Sequence, residues 1–339
     1  RAGIEGTDDP LFPLDLRTAN PVRYASLSHP GDSFSYDIFS QVAAAVRDTD
    51  SSILGGLPVD AVIAVGESQS AARLLTYINA VQPLYGIYDA FLLDSRFSSS
   101  SRLSQPPQAD IRAPAQVLFR DDLETPVISL QSETDLLVEG LESIDERQDD
   151  SAFFRQWEVA GSAHLDNYAL NTGRGDRGSD PEAALVVENN TILGVIQCPK
   201  PMNSGVIPWV YMAAMAALDT WVRDGTAAPM AERLATTDDQ SDFLYDNLGI
   251  ALGGIRSPYV DAPAARLSGE EVTGVRGCFW NGTTTLFDAA SMASLYVDRQ
   301  GYIDAVEAAS SDAVTKGFLL QADAQRITAA AGLQWDALQ

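Results

Sequence analysis

The stretch Val59-Asp-Ala-Val-Ile-Ala-Val-Gly66-Glu-Ser68-Gln-Ser-Ala-Ala-Arg-Leu-Leu-Thr-Tyr77 decides how the rest of the chain is read. Residues 61–65 form a short apolar run, with Ala61, Ile63 and Val65 on one face and Val62 and Ala64 on the other. That pattern predicts a strand buried on both sides. Leu74, Leu75 and Ile78 then recur at helical spacing. Between strand and helix stands Gly66-Glu67-Ser68-Gln69-Ser70, where the chain must turn within a few residues. Such a turn forces its central residue into a strained backbone conformation and needs small neighbours. It also lifts the Ser68 hydroxyl above the C-terminal edge of the sheet, the layout of a nucleophile elbow. Ser70 stands where a second glycine is usual. The competing reading is an ordinary strand–turn–helix unit with a surface serine, so the rest of the chain must supply the context.

A serine nucleophile needs a base that works near neutral pH, and imidazole is the side chain suited to that. The chain has two histidines, His29 and His164. Around such an elbow the partners follow in the order serine, acid, histidine. His29 precedes Ser68 and fits that order badly. His164 follows a predicted strand, Arg155 to Ala160, on a loop opened by Gly161. Loops at strand ends are where catalytic groups concentrate. The acid is expected on the loop between the two. Thr125-Pro-Val-Ile-Ser-Leu-Gln-Ser-Glu-Thr-Asp-Leu-Leu137 reads as a strand opened by Pro126 and ending near Gln131. Glu133 and Asp135 then lie at the same edge. Asp135 matches the usual offset better, and Glu133 is the alternative acid, because geometry rather than sequence position defines such a group. The backbone N–H of Gln69, directly after the nucleophile, is expected to form half of an oxyanion hole.

Gly66-Glu-Ser-Gln-Ser-Ala-Ala-Arg-Leu-Leu-Thr-Tyr-Ile-Asn-Ala80, Trp157-Glu-Val-Ala-Gly-Ser-Ala-His164 and Gly253-Gly-Ile-Arg-Ser-Pro258 together resemble a bacterial and fungal group of large α/β-hydrolase-domain proteins. The resemblance runs from Arg23-Tyr24 to the last helices. It implies a serine esterase or lactonase, with Ser68 and His164 in the family's catalytic positions and the Ser132–Asp135 run carrying the acid. It supplies no substrate. An acyltransferase on the same three residues and a non-catalytic binding or scaffold protein on a degenerate hydrolase fold are the alternatives.

Composition bounds the rest. The 339 residues suit one large domain, or a core with a cap. At 45% hydrophobic and 20% charged, the chain can bury a substantial core. No stretch approaches the roughly 20 apolar residues of a membrane span. The net charge of −25 repels nucleic acid and anionic membranes, so a neutral small-molecule ester or lactone is the expected partner. Lysine is nearly absent (Lys200 and Lys316), with arginine in its place. No His/Cys cluster has metal-ligand spacing and no phosphate loop is present, so neither metal nor cofactor is expected. Cys198 and Cys278 either form one disulfide or remain two buried thiols. Asn189-Asn-Thr191 and Asn281-Gly-Thr283 match the glycosylation acceptor pattern, which is frequent by chance.

The expected architecture is an α/β-hydrolase sheet flanked by helices, with a hydrolase core over residues 1–225 and a long, mostly helical extension over 226–339. Ser33 to Asp48 reads as the helix before the elbow strand, and Val22 to Leu27 as the strand before that. The earlier strands, and the loop that normally gives the second oxyanion donor, are expected before Arg1 or within Asp9 to Pro21, making the core N-terminally incomplete. After His164, Val206 to Arg223 reads as a helix stopped by Gly225, with further helices near 287–296, 300–316 and 321–332. Tyr168, Trp209 and Arg256 are candidate substrate contacts. The aromatics would form an apolar wall and Arg256 would clamp a carbonyl or carboxylate. The competing readings are core aromatics and a structural ion pair.

Overall fold

The structure, a computed structural model, describes residues 2–5, 15–48, 53–205 and 207–339. Its centre is a sheet of four parallel strands: β1 (Ile63–Glu67), β2 (Ala90–Asp94), β3 (Val127–Ser132) and β4 (Phe154–Val159). They lie in the order β1-β2-β3-β4. Because side chains alternate across a strand, the apolar runs of β2 and β3 feed two cores at once. Phe91, Leu93, Val127 and Phe154 face a layer made by helices α1 (Ser35–Arg47) and α2 (Gln69–Ala80), where Tyr36, Leu75, Tyr77 and Ile78 are buried. Leu92, Ile128, Leu130 and Trp157 face the opposite layer. There Val210, Ala214, Leu218 and Trp221 of α4 (Ile207–Asp224) cover the sheet, while the short helix α3 (Glu133–Leu137), which directly follows β3, buries Leu136 in a separate cluster with Ala160 and Leu234.

The extension after α4 joins the same core. A two-stranded antiparallel unit, β5 (Ala265–Ser268) with β6 (Thr283–Leu286), precedes α5 (Ala289–Tyr296), α6 (Arg299–Lys316) and α7 (Gln321–Ala337). Tyr302, Val306, Ile327 and Trp335 of these helices are buried in one cluster with Leu92 and Trp157. The Gly-Gly-Ile-Arg-Ser-Pro segment runs alongside β4. Ile255 N–H donates to Glu158 O at 2.6 Å, and Ala160 N–H donates to Ile255 O at 3.1 Å. The two glycines allow this approach, since a Cβ at Gly253 would lie 2.5 Å from Arg233 O and one at Gly254 2.8 Å from Glu158 O.

Two expectations are corrected. The first concerns β1, which is not buried on both sides. It ends the strand order, and Val65 is 39% exposed while Ala64 and Gly66 are buried. The second concerns Val22 to Leu27, which is not a strand. Asn20 Oδ1 accepts the Arg23 N–H at 3.1 Å and Pro21 opens a single helical turn, Pro21–Tyr24. An asparagine cap followed by proline favours a helix start over an extended chain. The expected helix start at Val206 and the Asp9–Leu14 part of the proline-rich stretch lie outside the described residues. Among the described residues no helix is long and apolar enough to cross a membrane, and no group of three or more His, Cys, Asp or Glu side chains could hold a metal ion.

Cys198 and Cys278 are joined in a disulfide. Their separation of 80 residues makes the closed loop long, and long closed loops give the larger entropic stabilisation. Replacing both cysteines by alanine is expected to lower the unfolding free energy by about 2–4 kcal/mol. Denaturant melts of the native chain with and without a dithiol reductant check this. The reduced chain should unfold at lower denaturant, and the double variant should not respond to reductant. The asparagines of the two glycosylation-like triplets are engaged inside the fold. Asn281 is buried, and Asn189 Nδ2–H donates to Asn167 Oδ1 at 2.8 Å.

Candidate active site

Strand β1 ends at Glu67 and helix α2 begins at Gln69, so Ser68 alone makes the turn. Its backbone is at φ 56°, ψ −120°, a region that side chains rarely adopt. The turn is held by the Ser68 N–H, which donates to Asp94 O at 3.0 Å. It also needs the glycine before it: a Cβ at Gly66 would sit 2.7 Å from Ser70 O. The second small residue is a serine at no visible penalty, since Ser70 is exposed on the first turn of α2. Gln69 is the first residue of that helix, and the N–H groups of a helix's first turn have no acceptor within it. Its N–H, one residue from Ser68, is therefore a donor at the positive end of the helix dipole with no acceptor inside the helix.

The carboxylate that meets His164 comes from the start of α3. Ser132 caps this helix, and Asp135 completes a capping box. The Ser132 N–H and Oγ–H both donate to Asp135 Oδ2, each at 2.7 Å. That fixes one carboxylate oxygen and turns the other, Oδ1, toward the histidine loop. His164 Nδ1–H donates to Asp135 Oδ1 at 2.6 Å. Because a carboxylate only accepts, the ring proton is on Nδ1 and the Nε2 lone pair is free to accept. The Ser68 Oγ–H donates to it at 3.0 Å. Serine, histidine and acid thus form one unbroken chain, with Asp135 0% exposed and His164 4%. Glu133, the alternative acid, is turned away. Its oxygens accept the N–H groups of Gly161 (2.6 Å) and Gly269 (2.8 Å). His29 is also elsewhere: its Nδ1 accepts the Gly31 N–H at 3.1 Å.

The three expected substrate contacts are not brought to Ser68. Arg256 makes the structural ion pair, with Asp261, and donates to the carbonyls of Ala251 (2.8 Å) and Val260 (3.1 Å). Tyr168 and Trp209 do meet each other, with ring centroids 5.2 Å apart, beside a cavity of about 90 Å³ whose lining includes neither Ser68 nor His164. Asp176 binds both the Tyr168 hydroxyl (2.6 Å) and Arg326 (2.7 Å), and that guanidinium lies over the Trp209 ring. The aromatics against the imidazole are Phe97, stacked at 6.2 Å, and Trp280, edge-on at 5.3 Å. The sequence reading missed both. Phe97 follows the end of β2 by three residues, a position that an edge-loop rule singles out. Trp280 comes from the extension, two residues past the disulfide, and only the tertiary fold places it.

The surroundings are acidic. Burial, with Asp135 and Glu67 as negative neighbours, holds the Asp94 carboxyl well above the usual range. Burial likewise pushes Asp166 up to about 7, although it accepts the Ala169 N–H at 2.7 Å. The serine-rich segment 98–104 after β2 is bonded to the helical layer. Ser101 O accepts from Thr76 Oγ1 (2.6 Å), and Arg102 O accepts from the Tyr36 hydroxyl (2.8 Å).

A parallel sheet between two helical layers, with a serine on a strained strand-to-helix turn, defines an α/β hydrolase. The chain belongs to the alpha/beta hydrolase domain family whose model matches residues 1–329. Comparison with curated proteins and with solved structures found no match.

Proposed function

We propose that the protein hydrolyses carboxylic esters or lactones through an acyl-enzyme on Ser68. The observation that carries this reading is the continuous chain from Ser68 Oγ through the His164 ring to Asp135. In the first half-reaction Ser68 Oγ attacks the substrate carbonyl carbon while His164 Nε2 takes its proton. Asp135 holds the ring in the tautomer that can do so and stabilises the imidazolium. The Gln69 N–H receives the developing oxyanion. Collapse expels the alcohol, which takes its proton from His164. In the second half-reaction His164 removes a proton from water, hydroxide adds to the acyl carbon, and the acid leaves as Ser68 is reprotonated. No cofactor enters these steps.

The acidic surroundings favour neutral substrates. A carboxylate-bearing ester would approach Glu67, one residue before the nucleophile, on a chain of net charge −25, and like charges repel. Phe97 and Trp280 offer apolar surface beside the base. The test is a panel of p-nitrophenyl esters of increasing acyl length, with small and macrocyclic lactones and an anionic ester, alongside fluorophosphonate labelling read by peptide mass. Label on Ser68 and faster turnover of neutral, moderately bulky esters are expected. No label on Ser68 rejects the nucleophile, and equal turnover of the anionic ester rejects the substrate class. Added hydroxylamine or alcohol separates hydrolysis from acyl transfer by the product formed.

A further inference from the structure

We infer that Glu133 is a positioning residue for His164: its carboxylate clamps the histidine loop to the C-terminal extension, and the Ser68–His164–Asp135 alignment depends on that clamp. The inference rests on the nucleophile reading above. Three backbone segments meet at this side chain. Glu133 opens α3, two residues before Asp135. Oε1 accepts the N–H of Gly161, which begins the loop carrying His164, and Oε2 accepts the N–H of Gly269, which directly follows β5. The neighbouring groups close the same junction. Thr134 Oγ1–H donates to Gly269 O at 2.8 Å. Asn203 Nδ2–H donates to Gly161 O at 2.9 Å and to Ser268 O at 3.2 Å. Gly161 and Gly269 are thus each held at both N–H and C=O.

The junction has no slack. A Cβ at Gly161 would lie 2.5 Å from Val260 Cγ1. One at Gly269 would lie 2.5 Å from Glu133 Cβ, and one at Gly282 2.7 Å from Ala163 Cβ. Gly269 lacks a side chain where Glu133 Cβ packs, and the glycines at 161 and 282 let the flanking segments close on the same junction. Glu133 is 2% exposed. A buried carboxylate without a cation in contact is costly unless hydrogen bonds replace the water it lost. The charged and titratable groups facing it are Arg266 on β5, Glu270 just beyond it, and Tyr245 from the preceding segment. Arg266 is itself engaged with Gly249 O (3.1 Å) and Glu270 (3.4 Å). The two amide donors are therefore what hold the charge. Burial pushes the carboxyl up to about 7, so its proton is exchanged in the range where an ester hydrolase works. Once protonated, one oxygen becomes a donor facing an N–H, and one of the two ties is lost.

The test uses the whole chain and Glu133→Gln, which keeps the shape but only one acceptor oxygen. With a p-nitrophenyl ester at pH 8, kcat is expected to fall about 10–100-fold, the scale of a small misplacement of a reacting group. KM should stay within about threefold, because substrate binding is not the function removed. Below about pH 7 the native protein should lose kcat more steeply with falling pH than Glu133→Gln, in which the titrating carboxyl of the clamp is gone. A role confined to stability would lower the melting temperature and leave both pH profiles equally steep, which overturns the inference. If that variant fails to fold, Glu133→Asp decides: its carboxylate is one methylene short of spanning both amides, and an unchanged kcat overturns the clamp. Fluorophosphonate labelling of the native protein keeps the two readings apart. An unlabelled Ser68 rejects the nucleophile, whereas a labelled Ser68 with unchanged kcat and pH profile in Glu133→Gln rejects only the clamp.

Discussion

Replacing Ser68 with alanine is expected to abolish fluorophosphonate labelling and to lower kcat roughly 10⁴–10⁶-fold, with the fold intact. The size follows from the chemistry. Alanine removes the nucleophile and leaves His164 and the Gln69 N–H in place, so only hydrolysis by positioned water against a partly stabilised oxyanion remains. The fold should survive because the described bond of the side chain is to the His164 ring, and none ties it to the backbone. Ser68 makes no side-chain cap on α2, and its backbone is held by its own N–H to Asp94 O. A Cβ is already accommodated at φ 56°, so alanine adds no strain that serine lacks. Ser70→Ala is the control. It removes a hydroxyl two residues away, exposed on the same helix, and should keep both label and turnover. Turnover that survives in Ser68→Ala would assign the chemistry to another group and reject the mechanism.

What the sequence made legible depended on whether the cause was local. The turn at Ser68 is set by neighbours within two residues, and Gly66 and the flanking apolar runs carry that information in order. The capping run Ser132–Asp135 is local in the same sense, so both carboxylates could be placed at the right edge. Choosing between them could not be local. Glu133 and Asp135 sit on the same first turn, and what separates them is that Gly161 and Gly269 meet one while His164 meets the other. Gly269 is far along the chain, and nothing in its own sequence neighbourhood announces the contact. The same holds for the substrate wall. Residue type and position after His164 single out Tyr168 and Trp209, yet they pair with each other and with Arg326. Trp280 reaches the imidazole because β5, β6 and the disulfide fold the extension back over the histidine loop. The burial expected of β1 failed for a related reason: its apolar composition says which faces can be covered, and the pairing of the strands says which are.

Asp135→Asn is expected to lower kcat by about 10⁴-fold while leaving KM for neutral esters little changed. The capping box makes the outcome directional. Asp135 Oδ2 accepts two hydrogens from Ser132, one from N–H and one from Oγ–H. In asparagine only the oxygen can accept from the Ser132 N–H, so it must take that side. The amide NH₂ then points at His164 Nδ1 and donates to it. A ring that accepts at Nδ1 carries its proton on Nε2, where it faces Ser68 Oγ as a donor. The imidazole keeps its place, 3.0 Å from the serine, and loses its lone pair toward it. A base in the wrong tautomer cannot take the proton, which is why a near-isosteric change costs so much. Burial sharpens the effect, since Asp135 and His164 are almost wholly enclosed and a polar contact there is stronger than in water. The measurement is kcat and KM for a neutral p-nitrophenyl ester, with circular dichroism and a thermal melt to show that α3 remains capped. Ser132→Ala gives the structural comparison, because it weakens the cap and leaves a carboxylate on His164. If Ser132→Ala loses as much activity as Asp135→Asn, loss of the helix cap rather than the tautomer explains the defect. A kcat within tenfold of native in Asp135→Asn would remove Asp135 from the mechanism altogether.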